Sequence, residues 1–182
     1  LFYLVTTWVL SYGIAKKGVG LGIPYLDFLK LQLISIFAFI VSIPVAGRLA
    51  DSRGRKRTLI AVSAVMIAFG FTFSWLLRPD TATEGTVLVF LTVGMFIMGL
   101  IFGPMSAVLP ELFPTNVRYT GSGISYNVAS ILGAAIAPFV ATALVKSYGV
   151  GAVGIYLIVV SILSLIAILL MKETKHFDMS DI

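Results

Sequence analysis

The sequence predicts an all-α membrane protein with six transmembrane helices. Three observations carry that expectation. Apolar residues make up 59% of the 182-residue chain and charged residues only 12%, whereas an ordinary soluble domain carries about 25% charged residues. The mean hydropathy is +1.05. The stretches 1–15, 31–47, 58–77, 86–109, 119–145 and 154–171 contain no Asp, Glu, Lys, Arg or His.

A bilayer core about 30 Å thick takes roughly 20 apolar residues of helix. The first span, 1–15, is too short alone. The chain opens on Leu1-Phe2-Tyr3 inside that apolar run, with no Met and no basic leader region, so a longer parent protein is expected. The second span covers about 28–47, with Lys30 near its end able to snorkel to the interface. The third is expected at 58–77, the fourth at 86–109, the fifth at 119–145 and the sixth at 154–171. Such runs leave room only for short loops. A β-barrel would instead show alternating segments of about 10 residues.

Alternating spans sort the basic residues by side. Arg48, Arg53, Arg55, Lys56, Arg57, Arg118, Lys172 and Lys175 fall on one side; Lys16, Lys17, Lys30, Arg78 and Lys146 fall on the other. The richer side is expected in the cytoplasm, which puts the C-terminus there too and describes a multi-pass cell-membrane protein. Positive-inside topology accounts for the net charge of +5, so nucleic acid is not expected as a partner. The chain has no cysteine and one histidine, His176 in a polar tail, which argues against thiol chemistry and a histidine metal site. Serine and threonine in the spans have no His or Asp beside them, and no Gly-rich phosphate loop is present. Neither an enzyme nor a cofactor is expected.

Helix packing in lipid favours small residues. Ser125, Ala129, Gly133, Ala137 and Ala141 recur every four residues in the fifth span, and Gly99-x-x-x-Gly103 precedes Pro104 in the fourth. Close packing is the expected reading of both. Pro44, Pro104 and Pro138 should kink or break their helices.

Five of the thirteen Lys and Arg residues lie in the loop Gly47-Arg48-Leu49-Ala50-Asp51-Ser52-Arg53-Gly54-Arg55-Lys56-Arg57. Gly47 and Gly54 permit tight backbone approach, and Asp51 can sit near a helix N-terminus or pair with an Arg. The order G-x-L-A-D-x-x-G-R-K resembles the loop signature of the major facilitator superfamily, which lies between the second and third helices of a six-helix half. Ser52 departs from it, standing where a basic residue is usual, with Arg53 one place later.

A second segment, Pro110-Glu111-Leu112-Phe113-Pro114-Thr115-Asn116-Val117-Arg118-Tyr119-Thr120-Gly121, runs on to Ser125-Tyr126-Asn127 and a Gly/Ala/Pro-rich stretch. It resembles the metabolite:proton symporters of the same superfamily, and Lys172-Glu173-Thr174-Lys175 resembles the close of a last transporter helix. The resemblance implies one half of a twelve-helix fold. Residues 1–182 would be the C-terminal half, made of two inverted three-helix repeats, 1–77 and 86–171, and a cytoplasmic tail 172–182. The N-terminal half of the same chain would be a missing partner.

By that resemblance Gly47, Asp51, Gly54, Arg55 and Arg57, with Glu111 and Arg118, belong to a cytoplasmic gate. Glu111 and Arg118 would pair with each other or with the missing half; the bland alternative for each charge is an exposed pair worth about 0–1 kcal/mol. Tyr3, Thr7 and Ser11 form a polar stripe at four-residue spacing in the first span, which the superfamily uses to line its central cavity. In the fifth span Tyr126 and Asn127 either line that cavity or hold helices together. The implied function is proton-coupled symport of a small organic metabolite, an organic acid or osmolyte, by alternating access in a bacterial inner membrane. With no charge inside the spans, the proton site is expected in the missing half or at the span ends near Asp27 or Asp51. A six-helix channel or structural protein acting as a homo-oligomer is the competing reading.

Overall fold

The computed structural model describes residues 1–171. The tail 172–182, with Lys172-Glu173-Thr174-Lys175 and His176, lies outside the described residues. Regular structure among the described residues is helical, apart from one isolated bridge between Lys17 and Gly20. Five helices are long and apolar enough to cross a membrane: α2 (Tyr25–Arg53), α3 (Arg55–Leu76), α4 (Glu84–Glu111), α5 (Arg118–Tyr148) and α6 (Val150–Leu170). A shorter apolar helix, α1 (Leu4–Ile14), precedes them.

The helices outrun the expected spans at the polar ends. Charges end an apolar run without ending a helix, because the backbone bonds are as well made in water as in lipid. Thus α2 continues through Gly47 and Arg48 to Arg53, and only Gly54 interrupts it before α3. The expected eleven-residue loop is a one-residue break. α4 starts at a capping box in which Thr83 and Thr86 exchange side-chain-to-backbone bonds of 2.9 and 3.3 Å.

Neither Pro44 nor Pro104 breaks its helix. α2 runs on through Pro44 and α4 through Pro104. Only Pro138 coincides with an irregularity, a π turn over Leu132–Ile136 in α5. Proline offers no N–H and crowds the carbonyl four residues back, so the slip to wider i→i+5 bonds falls just before it. The added residue rotates the small-residue ridge: Gly133, Ala137 and Ala141 meet neighbours, while Ala129 is exposed. α1 also opens with a π turn, Leu4–Trp8.

Two helix pairs dominate the packing, α2 with α4 and α3 with α6. In the first, Gly99 lies against Ser42 and the Phe39 carbonyl, and Gly103 against the Ile43 carbonyl, where an added Cβ would come within 2.9 Å. Close approach is therefore what the Gly99/Gly103 spacing provides. In the second, Gly70 and Gly154 bring the backbones together, a crossing that has no periodic signature in the sequence. Phe69, Phe73 and Phe90 fill the centre, with Phe73–Phe90 centroids 4.7 Å apart at 87° and Phe69–Phe90 at 4.8 Å. Trp8 stacks on Tyr12 at 5.2 Å, carrying α1 into the same core.

Gly154→Leu should force α3 and α6 apart and cost about 1–3 kcal/mol through overpacking. A lower unfolding midpoint of the purified full-length protein in detergent would show it; an unchanged midpoint would refute the tight crossing.

Candidate functional site

The geometry around Gly54 starts from one backbone conformation. Gly54 has φ 102° and ψ 145°, a region open in practice only to glycine. Its N–H still closes α2 on the Ala50 carbonyl at 3.0 Å, and its own carbonyl accepts from Thr58 N–H at 3.2 Å and Thr58 Oγ1 at 2.9 Å. The chain therefore reverses between two spans with its polar groups satisfied. Gly47 does not share this role: it lies within α2, and a Cβ there would touch nothing within 4 Å. The nearby approach is made by Gly103, across the interface.

The break aims Arg55, the first residue of α3, at Glu111, the last of α4, and the two form an ion pair. The Glu111 side chain is 8% exposed and that of Arg55 21%. Of the two expectations for Glu111 and Arg118, a pair with each other is not formed among the described residues. Arg118, which opens α5, donates Nε to the Phe113 carbonyl at 3.3 Å instead. Two atoms of opposite sign stay buried without a hydrogen-bond partner among the described residues, Glu111 Oε2 and Arg118 Nη2. Each is a group whose desolvation is not offset.

Asp51 is exposed in the last turn of α2 and makes no ion pair among the described residues. A carboxylate near a helix C-terminus opposes the macrodipole, so local stability does not explain it. Arg57 is exposed. Lys56, expected only to set topology, donates Nζ to the Leu169 and Met171 carbonyls at 2.7 and 2.6 Å, a cation closing the C-terminus of α6.

The polar stripe of α1 is partly as expected. Thr7 and Ser11 are exposed, Ser11 Oγ donating to the Thr7 carbonyl at 3.2 Å, while half-buried Tyr3 lies against Gly133 of α5. Ser11 also faces Thr142 and Lys146 across a cavity of about 100 Å³. Tyr126 is not part of that cavity; with Ser106, Ser122 and Gly123 it lines an apolar space of about 390 Å³ between α4 and α5. Asn127 is exposed and donates Nδ2 to the Gly123 carbonyl of its own helix at 2.8 Å, with no bond to a second helix among the described residues. Sequence reasoning missed Gln32, which reaches from α2 to the Thr6 carbonyl in the π turn of α1 at 2.8 Å. Its signal was the lone amide in an otherwise apolar span.

The family model for the Major Facilitator Superfamily matches residues 1–180. The inner membrane metabolite transport protein YhjE of Escherichia coli (strain K12) is 47% identical over 177 residues, 97% of this chain and 40% of that protein. The shikimate transporter of the same organism is 28% identical, over 96% of this chain and 39% of the relative. The citrate-proton symporter of Klebsiella pneumoniae is 30% identical, over 81% and 32%. The chain thus spans less than half the length of these curated relatives. No solved structure matches it.

Glu111→Gln should destabilise the full-length protein by about 1.5–3 kcal/mol, the weight of the charge-assisted bond that its carboxylate accepts from Arg55. Gly54→Ala should cost about 1–3 kcal/mol through backbone strain alone. Denaturant unfolding in detergent measures both, and a neutral Gly54→Ala would discard the strained-break account.

Proposed function

The chain belongs to the major facilitator superfamily, and on that premise we propose that it forms the C-terminal six-helix half of a secondary transporter. α1 serves as the first span and brings the number to six. α1–α3 and α4–α6 are the two inverted repeats, covering 1–77 and 86–171, with the tail on the cytoplasmic side of a bacterial inner membrane. The two halves rock about a midplane site and move a small organic acid or osmolyte together with protons.

One observation carries this reading: α5 is the least buried of the long helices, although it holds Ser122, Tyr126, Asn127 and Ser130. Polar side chains at membrane depth face protein or water, so this face calls for an opposite wall and a wet path between. Thr7 and Ser11 extend the polar face onto α1, where Tyr3 meets Gly133. The names of the shikimate and citrate-proton relatives support an acidic solute and proton coupling.

The gate lies at the Gly54 end. Arg55 and Glu111 hold α3 to α4 from within, leaving Asp51, with Arg57, for the N-terminal half. Asp27 is engaged by Lys30 at 2.7 Å in an exposed local pair, and the absence of charge within the spans supports a proton site in the other half of the molecule.

Uptake by the full-length parent in proteoliposomes tests the whole reading, across shikimate, citrate and glycine betaine, with an imposed pH gradient and with a protonophore. Uptake of one solute that collapses with the protonophore is expected; no coupled uptake of any would overturn proton symport. Asp51→Asn should slow that uptake by an order of magnitude or more, the loss of a charge-assisted contact worth about 1.5–3 kcal/mol, with the unfolding midpoint unchanged. Normal uptake would remove Asp51 from the gate.

A further inference from the structure

A separate cleft of about 380 Å³ opens where α3 ends and α6 begins, walled by Trp75, Arg78, Asp80, Tyr148 and Gly151. It lies at the end of the bundle opposite the Gly54 break: α3 starts beside Gly54 and runs a span's length away to Leu76, while the far end of α6 is the one closed by Lys56. The cleft contains none of the polar-stripe residues Thr7, Ser11, Ser122, Tyr126, Asn127 or Ser130; α5 reaches it only with Tyr148, its last residue.

We propose that this cleft holds the headgroup of a phosphatidylethanolamine-type lipid. The argument begins with depth. Trp75 is 82% exposed and Tyr148 78%, and exposed amphipathic rings sit where acyl chains give way to headgroups. One turn below Trp75 on α3, Phe71 presents apolar surface, and so does Ile155 in the second turn of α6. At the same level a tight turn, in which Ala82 N–H donates to the Arg78 carbonyl at 2.8 Å, places Arg78 and Asp80 two residues apart. Both are exposed, and neither makes an ion pair among the described residues.

An acid and a base side by side and not spent on each other are the complement of a zwitterion. The planar guanidinium of Arg78 suits a phosphodiester. The Asp80 carboxylate accepts from a primary ammonium, and Gly149 and Gly151 keep the wall free of side chains. Phosphatidylglycerol would bring its phosphate without an ammonium for Asp80. A choline headgroup has no N–H to donate, and free phosphate would engage Arg78 alone.

Native mass spectrometry of the full-length protein, equilibrated with equal phosphatidylethanolamine, phosphatidylglycerol and phosphatidylcholine, reads the preference directly. Retained phosphatidylethanolamine should exceed each of the others about tenfold, the weight of one charge-assisted hydrogen bond. Arg78→Gln and Asp80→Asn should each erase that margin, while Lys146→Gln, at the same end of the bundle, should keep it. Equal retention of the three lipids, or a margin indifferent to Arg78 and Asp80, overturns the assignment. So does displacement of the lipid by millimolar inorganic phosphate, which would make this a phosphate site. Both variants lie on the surface, and an unchanged unfolding midpoint separates lost binding from lost fold.

Discussion

Everything in this chain follows from the absence of water in the bilayer core. A backbone N–H or C=O there must find its partner within the protein, at a cost of several kcal/mol where it does not. Helices meet that demand segment by segment, which is why the described residues wind into helices wherever charge disappears. Once wound, the helices gain little from being apolar, since lipid tails are as apolar as leucine. Association falls to close contact, and the glycine crossings at Gly99/Gly103 and Gly70/Gly154 are where backbones approach.

Where the backbone departs from the α-helix, the same demand shapes the departure. The π turn of α1 has the Gln32 amide on its Thr6 carbonyl. The π turn of α5 precedes Pro138, whose missing N–H disturbs the ladder in any case. Tyr3 against Gly133 puts the two irregular segments next to each other. Irregular backbone at membrane depth is tolerated where it is covered by protein or lines a cavity, so these segments and their exposed neighbours Thr7 and Ser11 share the face on which a solute path is proposed.

The spans were legible in the sequence because one property, the lack of charge over roughly 20 residues, decides both lipid partition and helix. Their ends were not. Arg48, Asp51 and Arg53 mark where lipid stops, yet α2 continues through them, and the break waits for a residue that can adopt a positive φ. The Gly54 motif holds Arg55 and the Pro110–Gly121 segment holds Glu111, but their pairing depends on how α3 meets α4, 56 positions apart in sequence. Glu111 and Arg118 are near neighbours along the chain, yet the turn between α4 and α5 sends Arg118 to the Phe113 carbonyl. Lys56 carried no hint of its bonds to the end of α6.

The Gly54 end is also where buried polar atoms are left without partners among the described residues. Arg55 and Glu111 together cost about 1.5–3 kcal/mol to part, so they act as a fixed joint between the two proposed repeats. Beside that joint, Glu111 Oε2 and Arg118 Nη2 are buried without partners, and Asp51 sits against the dipole of its own helix. Each of the two buried atoms is raised in energy by about 1–3 kcal/mol until something satisfies it, whereas exposed Asp51 is solvated and loses only about 0.3–1 kcal/mol to the dipole. A partner that satisfies both buried atoms gains about 2–6 kcal/mol, comparable with the roughly 5.5 kcal/mol that swings a two-state equilibrium from one side to the other. On the proposed reading, docking of an opposite half draws on this unsatisfied charge, and undocking has to restore it at the same cost.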